Sequence, residues 1–400
     1  MATLLTIDKI TQEALAVLHN ELPFTKRINS DYDSEFGEKG SKIGNTIRVR
    51  KPVQYTIRTG LTRSLSTVTE EYVNVALDII KGIDFDFTDT EMLLEVDDFS
   101  RRFIQPGIKR LASEMEKLGL AKVMPKVYSF VGTKNSAITK DFVLDARTKL
   151  TEYITPKDQR YLLVTPKSNS TLVSALSGLF QSATSISEQY KEGVMGIALG
   201  FEFLESNLLP VQTVGEFAGT VLSNGATQTG ASIAIDGFTN ASGTVKAGSI
   251  LTFAGTNAVN LETKADTGAL QQFVVTANAT VASNETTLVL SPPVVISGAT
   301  QNVSASIADG SAVTWVNVGT TLGATFRENL AFHRDAFTFV MGRYDLPKAV
   351  EESSYQEVDG FKVRMVRYWD GANGKMATRL DTIFGYESLY PEWACRLGSA

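Results

Sequence analysis

The apolar positions along this 400-residue chain change their period several times, and each change predicts a different element. A period of three to four residues predicts helices over 141–154 and 172–180, after a short N-terminal stripe from Ile10 to Leu18. A longer helix is predicted from a cap at Thr88-Asp89 to about Leu120, with a kink or a change of buried face at Pro106-Gly107. At about 1.5 Å per residue it would be roughly 45 Å long, which suits a spine across a flat plate.

Strands are predicted where apolar and polar residues alternate, or where a short apolar run stands between turn residues. The run 329–341 is the most prominent, although His333, Arg334 and Asp335 are set into it, and a second apolar run covers 196–210. The other predicted strands are 45–50, 54–58, 161–165, 208–214, 361–368 and 377–384.

The composition changes between residues 218 and 320. This stretch has only five acidic and two basic residues, and Thr, Ser, Ala, Gly, Asn and Val dominate it. Its short β-branched runs, such as 249–253, 272–276 and 287–290, are separated by Gly, Asn and Pro, as in a small all-β barrel or sandwich. Because the strand-rich pattern of the surrounding chain resumes afterwards, we interpret 218–320 as an inserted domain.

Charge is segregated before the long helix. Residues 42–63 contain six basic residues and no acidic one, whereas 70–98 contain ten acidic residues against the single Lys81. An isolated two-stranded hairpin is marginally stable in water, so the basic segment needs a surface on which to lie.

The whole-chain composition excludes several classes. A net charge of -6 argues against a dedicated nucleic-acid binder, so any contact with DNA would be local and weak. Cys395 is the only cysteine, which excludes an internal disulfide framework, favours a reducing cytoplasm, and indicates a small buried hydrophobe rather than a reactive thiol. The N-terminus lacks the basic region of a signal peptide, and no uncharged apolar run reaches the roughly 20 residues of a membrane span.

Reactive side chains are few. His19 and His333 are the only histidines, and we interpret His333 as a tucked strand histidine beside Asp335. The string Asp84–Glu91 resembles a spaced carboxylate site for Ca²⁺ or Mg²⁺, but it lacks the central glycine, and Asp84 and Asp86 would share one strand face. An acidic docking strip or helix start is therefore the better interpretation. The basic-aromatic stretch from Arg364 to Trp369 fits an ordinary half-exposed strand better than a base-stacking surface. We predict no catalytic residue, no cofactor and no metal.

Four blocks distributed over the chain carry a family resemblance: 87–106, 200–207, 255–276 within the insertion, and 329–341 with the tail 379–385 and 389–392. Each block is short and apolar, and their order and spacing together make the match specific. The chain resembles the major capsid (coat) proteins of tailed bacteriophages, in particular the podovirus coat branch with an inserted Ig-like domain.

The resemblance implies an α+β, HK97-like fold whose domains would be an N-terminal arm (1–35), an E-loop (36–82), a P-domain spine helix (83–130), an A-domain (131–217), the inserted Ig-like β-domain (218–320), and remaining A- and P-domain strands (321–400). It implies a structural protein of the virion, not an enzyme. Subunits would self-assemble as hexamers and pentamers into an icosahedral shell around double-stranded DNA, within the bacterial host cytoplasm. Scaffolding and portal proteins would be partners, with a decoration protein as a further candidate, and no membrane is involved.

Within such a shell, one subunit's basic E-loop would lie over the acidic strip of the next. The candidate contact residues are Arg48, Arg50 and Arg58 on one side and Asp84, Asp86, Glu91, Glu95 and Asp98 on the other. Three alternatives stay open: an encapsulin-like non-viral nanocompartment shell, a secreted adhesin, and a metal-dependent hydrolase using Asp84–Glu91.

Overall fold

The computed structural model describes residues 22–31, 46–52, 55, 61, 71–87, 105–134, 136–176, 196–213, 215–239, 242–318, 323–344, 346–347, 352–358, 361–371 and 375–399. The described part is a mixed, strand-rich α+β protein. Its helices are α1 (Gln105–Val123), α2 (Lys140–Glu152) and α3 (Pro166–Leu176).

Its strands are β1 (Thr46–Arg50), β2 (Tyr72–Ala76), β3 (Ile79–Phe87), β4 (Phe130–Val131), β5 (Arg160–Val164), β6 (Ile197–Ala198), β7 (Phe201–Glu205), β8 (Val211–Thr213), β9 (Gly219–Ser223), β10 (Gly230–Phe238), β11 (Ser242–Val245) and β12 (Ile250–Phe253). They continue with β13 (Asn257–Val259), β14 (Asp266–Leu270), β15 (Phe273–Val275), β16 (Ala279–Ala282), β17 (Thr286–Val294), β18 (Val313–Trp315), β19 (Thr325–His333), β20 (Phe337–Met341), β21 (Glu352–Val358), β22 (Phe361–Asp370), β23 (Lys375–Ser388) and β24 (Ala394–Gly398).

The chain divides into two compact units. The first takes its residues from Met1–Val49, Val73–Leu120 and Phe337–Glu387, and the second from Arg50–Tyr72, Ala121–Ala336 and Ser388–Ala400. Each unit is therefore assembled from segments that are distant in sequence.

The first unit is built around α1 and a five-stranded sheet. The sheet runs β20-β23-β22-β21, and β3 pairs with β23 along nearly its whole length. The buried apolar residues of α1 recur at helical spacing and form one stripe: Ile108, Leu111, Ala112, Met115, Leu120 and Val123. Gly119 lies in this stripe, and a side chain does not fit there, because a Cβ would be 2.8 Å from the Tyr386 ring of β23. The glycine lets the helix approach the strand closely.

The core of the second unit is a seven-stranded mixed sheet in the order β4-β24-β19-β5-β7-β6, with β8 also paired to β19. Helix α2 is capped at its N-terminus by Thr139, whose hydroxyl accepts a hydrogen bond from Phe142 N at 3.3 Å. Its buried residues Val143, Ala146 and Leu150 pack into the same apolar cluster as β5, β7 and Leu172 of α3.

The predicted insertion is an antiparallel β structure with its own core. Its six-stranded sheet has the order β18-β12-β15-β17-β10-β9, and two short pairs, β11-β16 and β13-β14, flank it. An isolated bridge between Leu222 and Ala312 joins the two edges of the sheet, as in a barrel. The interior contains Phe253, Phe273 and Leu288, all without solvent exposure. We call residues 219–315 the β-rich insertion.

Several predicted elements are confirmed with shifted ends. The helix predicted at 141–154 is α2, and the strands predicted at 161–165, 361–368 and 377–384 are β5, β22 and β23. The strand at 208–214 is shorter than predicted, as β8. Helix α3 begins at Pro166, six residues before the predicted start, because Pro166 follows a capping Thr165 whose hydroxyl accepts from Ser168 N at 3.2 Å. The proposed helix start at Thr88 lies outside the described residues.

One predicted strand is wrong. The run 329–341 is not one strand, because a 3-10 turn at Arg334–Ala336 separates β19 from β20 and the two strands join different sheets. The turn forms where Asp335 N donates to His333 Nδ1 at 3.2 Å and Arg334 N donates to Gln159 O. Strand β3 spans the boundary predicted at residues 82 and 83 between the E-loop and the spine-helix region, and its ladder with β23 extends to Phe87. In the part of the chain described here, no helix is long and apolar enough to span a bilayer.

Candidate assembly interface

The basic side of the predicted contact is carried by β1. Ile47 and Val49 are buried on this strand, whereas Arg48 and Arg50 are exposed. Side chains of a strand point alternately to opposite faces, so the two arginines share one face and project together. Arg58 lies outside the described residues.

The acidic side is carried by β3. Asp84 and Asp86 are exposed and alternate with the half-buried Ile83 and Phe85, so the two carboxylates share one face, as predicted. Glu91, Glu95 and Asp98 lie outside the described residues. The structure therefore brings together two of the five predicted acidic residues.

Asp84 has a cationic neighbour in its own chain that the sequence did not reveal. Arg379 of β23 is directly opposite Asp84 in the ladder. Its Nε is 2.7 Å from Asp381 Oδ1, and this hydrogen bond, with a smaller contribution from Asp84, raises the pKa of Arg379. Asp86 is instead opposite Ala377. Asp86 is thus the stronger candidate for a contact with another subunit.

Charged residues pair further along the same sheet, from β23 to β22. Asp381, almost fully buried, also accepts from Arg364 Nη2 of β22 at 2.6 Å. The Arg364 guanidinium stacks over the Tyr344 ring at 4.2 Å. We call Asp84, Arg379, Asp381 and Arg364 the charge ladder. The period-two pattern of the sequence indicated that β22 and β23 are strands. The charge ladder also requires a particular register between neighbouring strands, and that register depends on tertiary pairing.

A buried polar network joins the β-rich insertion to the seven-stranded sheet. Arg396 of β24 and Glu328 of β19 form an ion pair, with Nη1 3.0 Å from Oε2, and both side chains are at most 2% exposed. Arg396 Nη2 donates to Gly248 O at 2.8 Å. Burial lowers the pKa of Arg396 and Glu328 opposes the shift, but a guanidinium remains protonated in either case.

Asn317, two residues after the end of the insertion, extends this network to Gly248 and Ile250 within it. Its Nδ2 donates to Glu328 Oε1 at 3.0 Å and to Gly248 O at 3.1 Å, while its Oδ1 accepts from Ile250 N at 2.6 Å. We call Glu328, Arg396, Asn317 and Gly248 the junction network. Through Gly248 O and Ile250 N, the network ties the start of β12 to Glu328 of β19 and Arg396 of β24.

A second contact beside the junction network involves Gln272. Its Oε1 accepts from Phe130 N at 2.8 Å, and its Nε2 donates to Phe130 O at 3.0 Å. The side-chain amide of Gln272 thus makes the two backbone hydrogen bonds with Phe130 that a neighbouring strand would otherwise make at the edge of β4. Ile250 and Val274 of the insertion form a second, smaller apolar cluster with Tyr128 and Phe130, so the insertion also packs against its host.

His333 and Cys395, the two described residues that were considered for catalysis, are buried in the fold as structural residues are. His333 is buried, its ring is edge-on to Trp393 at 5.5 Å, and its Nδ1 is 3.8 Å from Asp335 Oδ2. Burial lowers the pKa of His333, which favours the neutral ring that accepts from Asp335 N. Cys395 is fully buried, and burial raises its pKa to about 12, as the small buried hydrophobe that was predicted. His19 lies outside the described residues.

The proposed carboxylate site is only partly visible. Asp84 and Asp86 are described, whereas Asp89 and Glu91 lie outside the described residues. Across the described segments, no three His, Cys, Asp or Glu side chains cluster in a way that could hold a metal ion.

Comparison with known proteins identifies the family. The family model of the P22 coat protein, gene protein 5, matches residues 4–396. No curated protein matches the sequence.

Among solved structures, the chain is similar to a protein chain in the structure of Mycobacterium phage Che8. The two share 14% identity with a TM-score of 0.48, and the alignment covers 94% of this chain and 92% of the phage chain. This chain is also similar to the capsid structure of cyanophage P-SCSP1u, with 11% identity, a TM-score of 0.42, and coverage of 90% and 84%. The CUS-3 coat protein I-domain aligns at 22% identity with a TM-score of 0.18, over 26% of this chain and 97% of that one.

The assignment rests on the family model, which spans nearly the whole chain and includes both compact units. It favours the coat-protein interpretation over the nanocompartment, adhesin and hydrolase alternatives. The chain therefore belongs to the P22 coat protein family and is a major capsid protein that forms the shell of a tailed bacteriophage.

Proposed function

We propose that this capsid protein assembles as hexamers and pentamers of an HK97-like subunit, and that charge complementarity between β1 and β3 of neighbouring copies sets their register. The observation that carries the proposal is the matched exposure of Arg48 and Arg50 on one strand and of Asp84 and Asp86 on another. Contacts of this kind are heterologous, because one patch meets a different patch on the next copy.

The strength of this contact is modest because its charges are exposed. An exposed ion pair contributes about 0 to 1 kcal/mol, so a few pairs steer orientation more than they hold subunits together. Repetition around each ring and across the shell multiplies the effect, while individually weak pairs let misplaced subunits leave. Because Arg379 already faces Asp84, Asp86 is the expected main acceptor for Arg50.

Charge reversal tests this contact. Arg50→Glu is expected to lower the yield of correctly sized shells, measured by sedimentation, because it sets like charges opposite each other. Lys157→Glu, an exposed reversal in the turn before β5, is the matched control and should leave the yield unchanged. Adding Asp86→Arg to Arg50→Glu should restore assembly. Undiminished shells from Arg50→Glu with an unchanged unfolding midpoint would contradict the proposal.

The domain plan follows the resemblance. We assign 1–35 to the N-terminal arm, 36–82 to the E-loop, 83–130 to the spine-helix region that contains α1, 131–217 to the A-domain, and 321–400 to the remaining A- and P-domain strands. What supports this is the segmental composition of the two units and the way α1 packs its apolar stripe on one sheet face. We assign the Ig-like inserted domain to the β-rich insertion, whose independent core supports it.

The partners are those of a shell protein. A scaffolding protein would guide assembly in the host cytoplasm, a portal would occupy one vertex, and a decoration protein could bind the outside. Double-stranded DNA would be enclosed with weak, non-specific contacts, which fits the net charge of -6. The chain acts through self-association and not through chemistry.

A further inference from the structure

Residues 22–31 form an N-terminal strap that lies on the first unit. Leu22, Phe24 and Ile28 of the strap are at most 2% exposed. Asn29 N donates to Phe337 O at 3.2 Å, and Phe339 N donates to Asn29 O at 2.8 Å, so the strap pairs with β20 in the manner of a parallel strand. The strap is therefore a part of this unit's core and covers it.

One carboxyl group of α1 holds the middle of the strap. Glu116 has no solvent exposure, and its Oε1 accepts from Phe24 N at 2.6 Å and from Thr25 N at 3.3 Å. These amides lie at the start of the 3-10 turn Thr25–Arg27, where backbone N–H groups lack partners within the turn. Glu116 thus caps this turn from another element.

The second oxygen of the same carboxyl is buried without a hydrogen-bond partner among the described residues. Burial raises the pKa of Glu116 to about 7, and the two backbone hydrogen bonds from the strap oppose the shift. From the sheet side, Tyr386 is the titratable group among the described residues that interacts with Glu116, and its hydroxyl is 2.8 Å from Thr25 Oγ1. Burial raises the pKa of Tyr386 above its usual range, so this phenol stays neutral.

We propose that Glu116 is a protonation-controlled clasp, which holds the strap closed in its neutral form and favours strap release when it ionises. The neutral acid keeps the acceptor for Phe24 N and Thr25 N and carries no buried charge. The ionised form leaves a charged oxygen buried without a partner, and release of the strap gives that oxygen access to water. Two observations support this inference: Glu116 Oε1 accepts from Phe24 N and Thr25 N, and Glu116 Oε2 is buried without a partner among the described residues.

The direction with pH follows from linkage. Burial raises the pKa of Glu116 from 4.5 to about 7 in the docked state, and in our proposal release of the strap exposes the carboxyl to water and restores its ordinary value. The contribution of Glu116 to docking is then fully present below pH 4.5 and is lost as the pH rises through about 7. Between pH 5 and pH 8 the ratio of released to docked strap is expected to rise by roughly 70-fold.

Hydrogen exchange of the full-length chain tests the clasp. We expect the protection factors of the Phe24 and Thr25 amides, corrected for the intrinsic pH dependence of exchange, to fall by roughly 70-fold from pH 5 to pH 8. Amides of β19 in the other unit should not change. In Glu116→Gln, which keeps the acceptor and cannot ionise, the strap amides should change by less than about threefold.

Glu114→Gln is the matched control, because Glu114 is on the same helix but is partly exposed beside Lys117. It should behave as the wild type. Strap protection in the wild type that is independent of pH would overturn the proposal whether or not the Glu116→Gln variant folds. A pH-dependent loss that persists in Glu116→Gln would also overturn it, since the responding group would then lie elsewhere.

Discussion

Removing the negative charge of the junction network should destabilise the second unit strongly. Glu328→Gln preserves the shape of the side chain but leaves Arg396 as a buried, uncompensated charge. Breaking one partner of a buried ion pair costs about 3 to 5 kcal/mol. The upper part of that range is expected here, because Glu328 accepts from both Arg396 and Asn317, and a glutamine cannot present acceptors to both.

Urea unfolding followed by tryptophan fluorescence measures the effect. Trp315 reports on the β-rich insertion and Trp393 on the host sheet, since the two residues lie in β18 and just before β24. With a slope of about 3 kcal/mol per molar urea, a loss of about 4 to 5 kcal/mol should lower the midpoint by roughly 1.3 to 1.7 M. The two signals should shift together, because the junction network joins both structures.

The matched control is Glu152→Gln. Glu152 Oε2 is 3.6 Å from Lys149 Nζ, but its side chain is 54% exposed, so the loss should be only about 0 to 1 kcal/mol. The double variant Glu328→Met with Arg396→Met should recover at least half of the loss, because it removes both charges together. A Glu328→Gln midpoint equal to that of Glu152→Gln would refute the reasoning.

Two further predictions concern the insertion and the cysteine. Excision of 219–319 is expected to leave a chain that expresses but assembles poorly, because Phe130, Glu328 and Arg396 lose buried partners; shells of normal yield by sedimentation would contradict this. The Cys395 thiol, whose pKa burial raises to about 12, is expected to resist a thiol reagent at pH 8 in native buffer and to react fully in urea; stoichiometric labelling of the native chain would contradict its burial.

The sequence predicted the elements whose apolar period is regular. Helix α2 and strands β5, β22 and β23 have clear periodicity, and the composition change at 218 marked the insertion. It also predicted that Asp84 and Asp86 share a face, because a period of two along one strand needs no partner strand.

What it missed depends on contacts between distant segments. The run 329–341 has apolar side chains throughout most of its length, so only the hydrogen bonds of His333 and Arg334 reveal the turn that divides it. The pairing of Asp84 with Arg379 depends on strand register, and the capping role of Glu116 joins positions 92 residues apart. A glutamate next to an apolar helical stripe was the available signal for Glu116, and it is equally consistent with an ordinary exposed residue.

Electron microscopy of the purified full-length chain, alone and with a scaffolding protein of its phage, tests the central claim most directly. We predict closed icosahedral shells whose faces and vertices resolve into hexamers and pentamers, with β1 of one copy over β3 of the next. A chain that stays monomeric at every concentration and with every scaffolding protein, while retaining its native fold, would contradict this prediction.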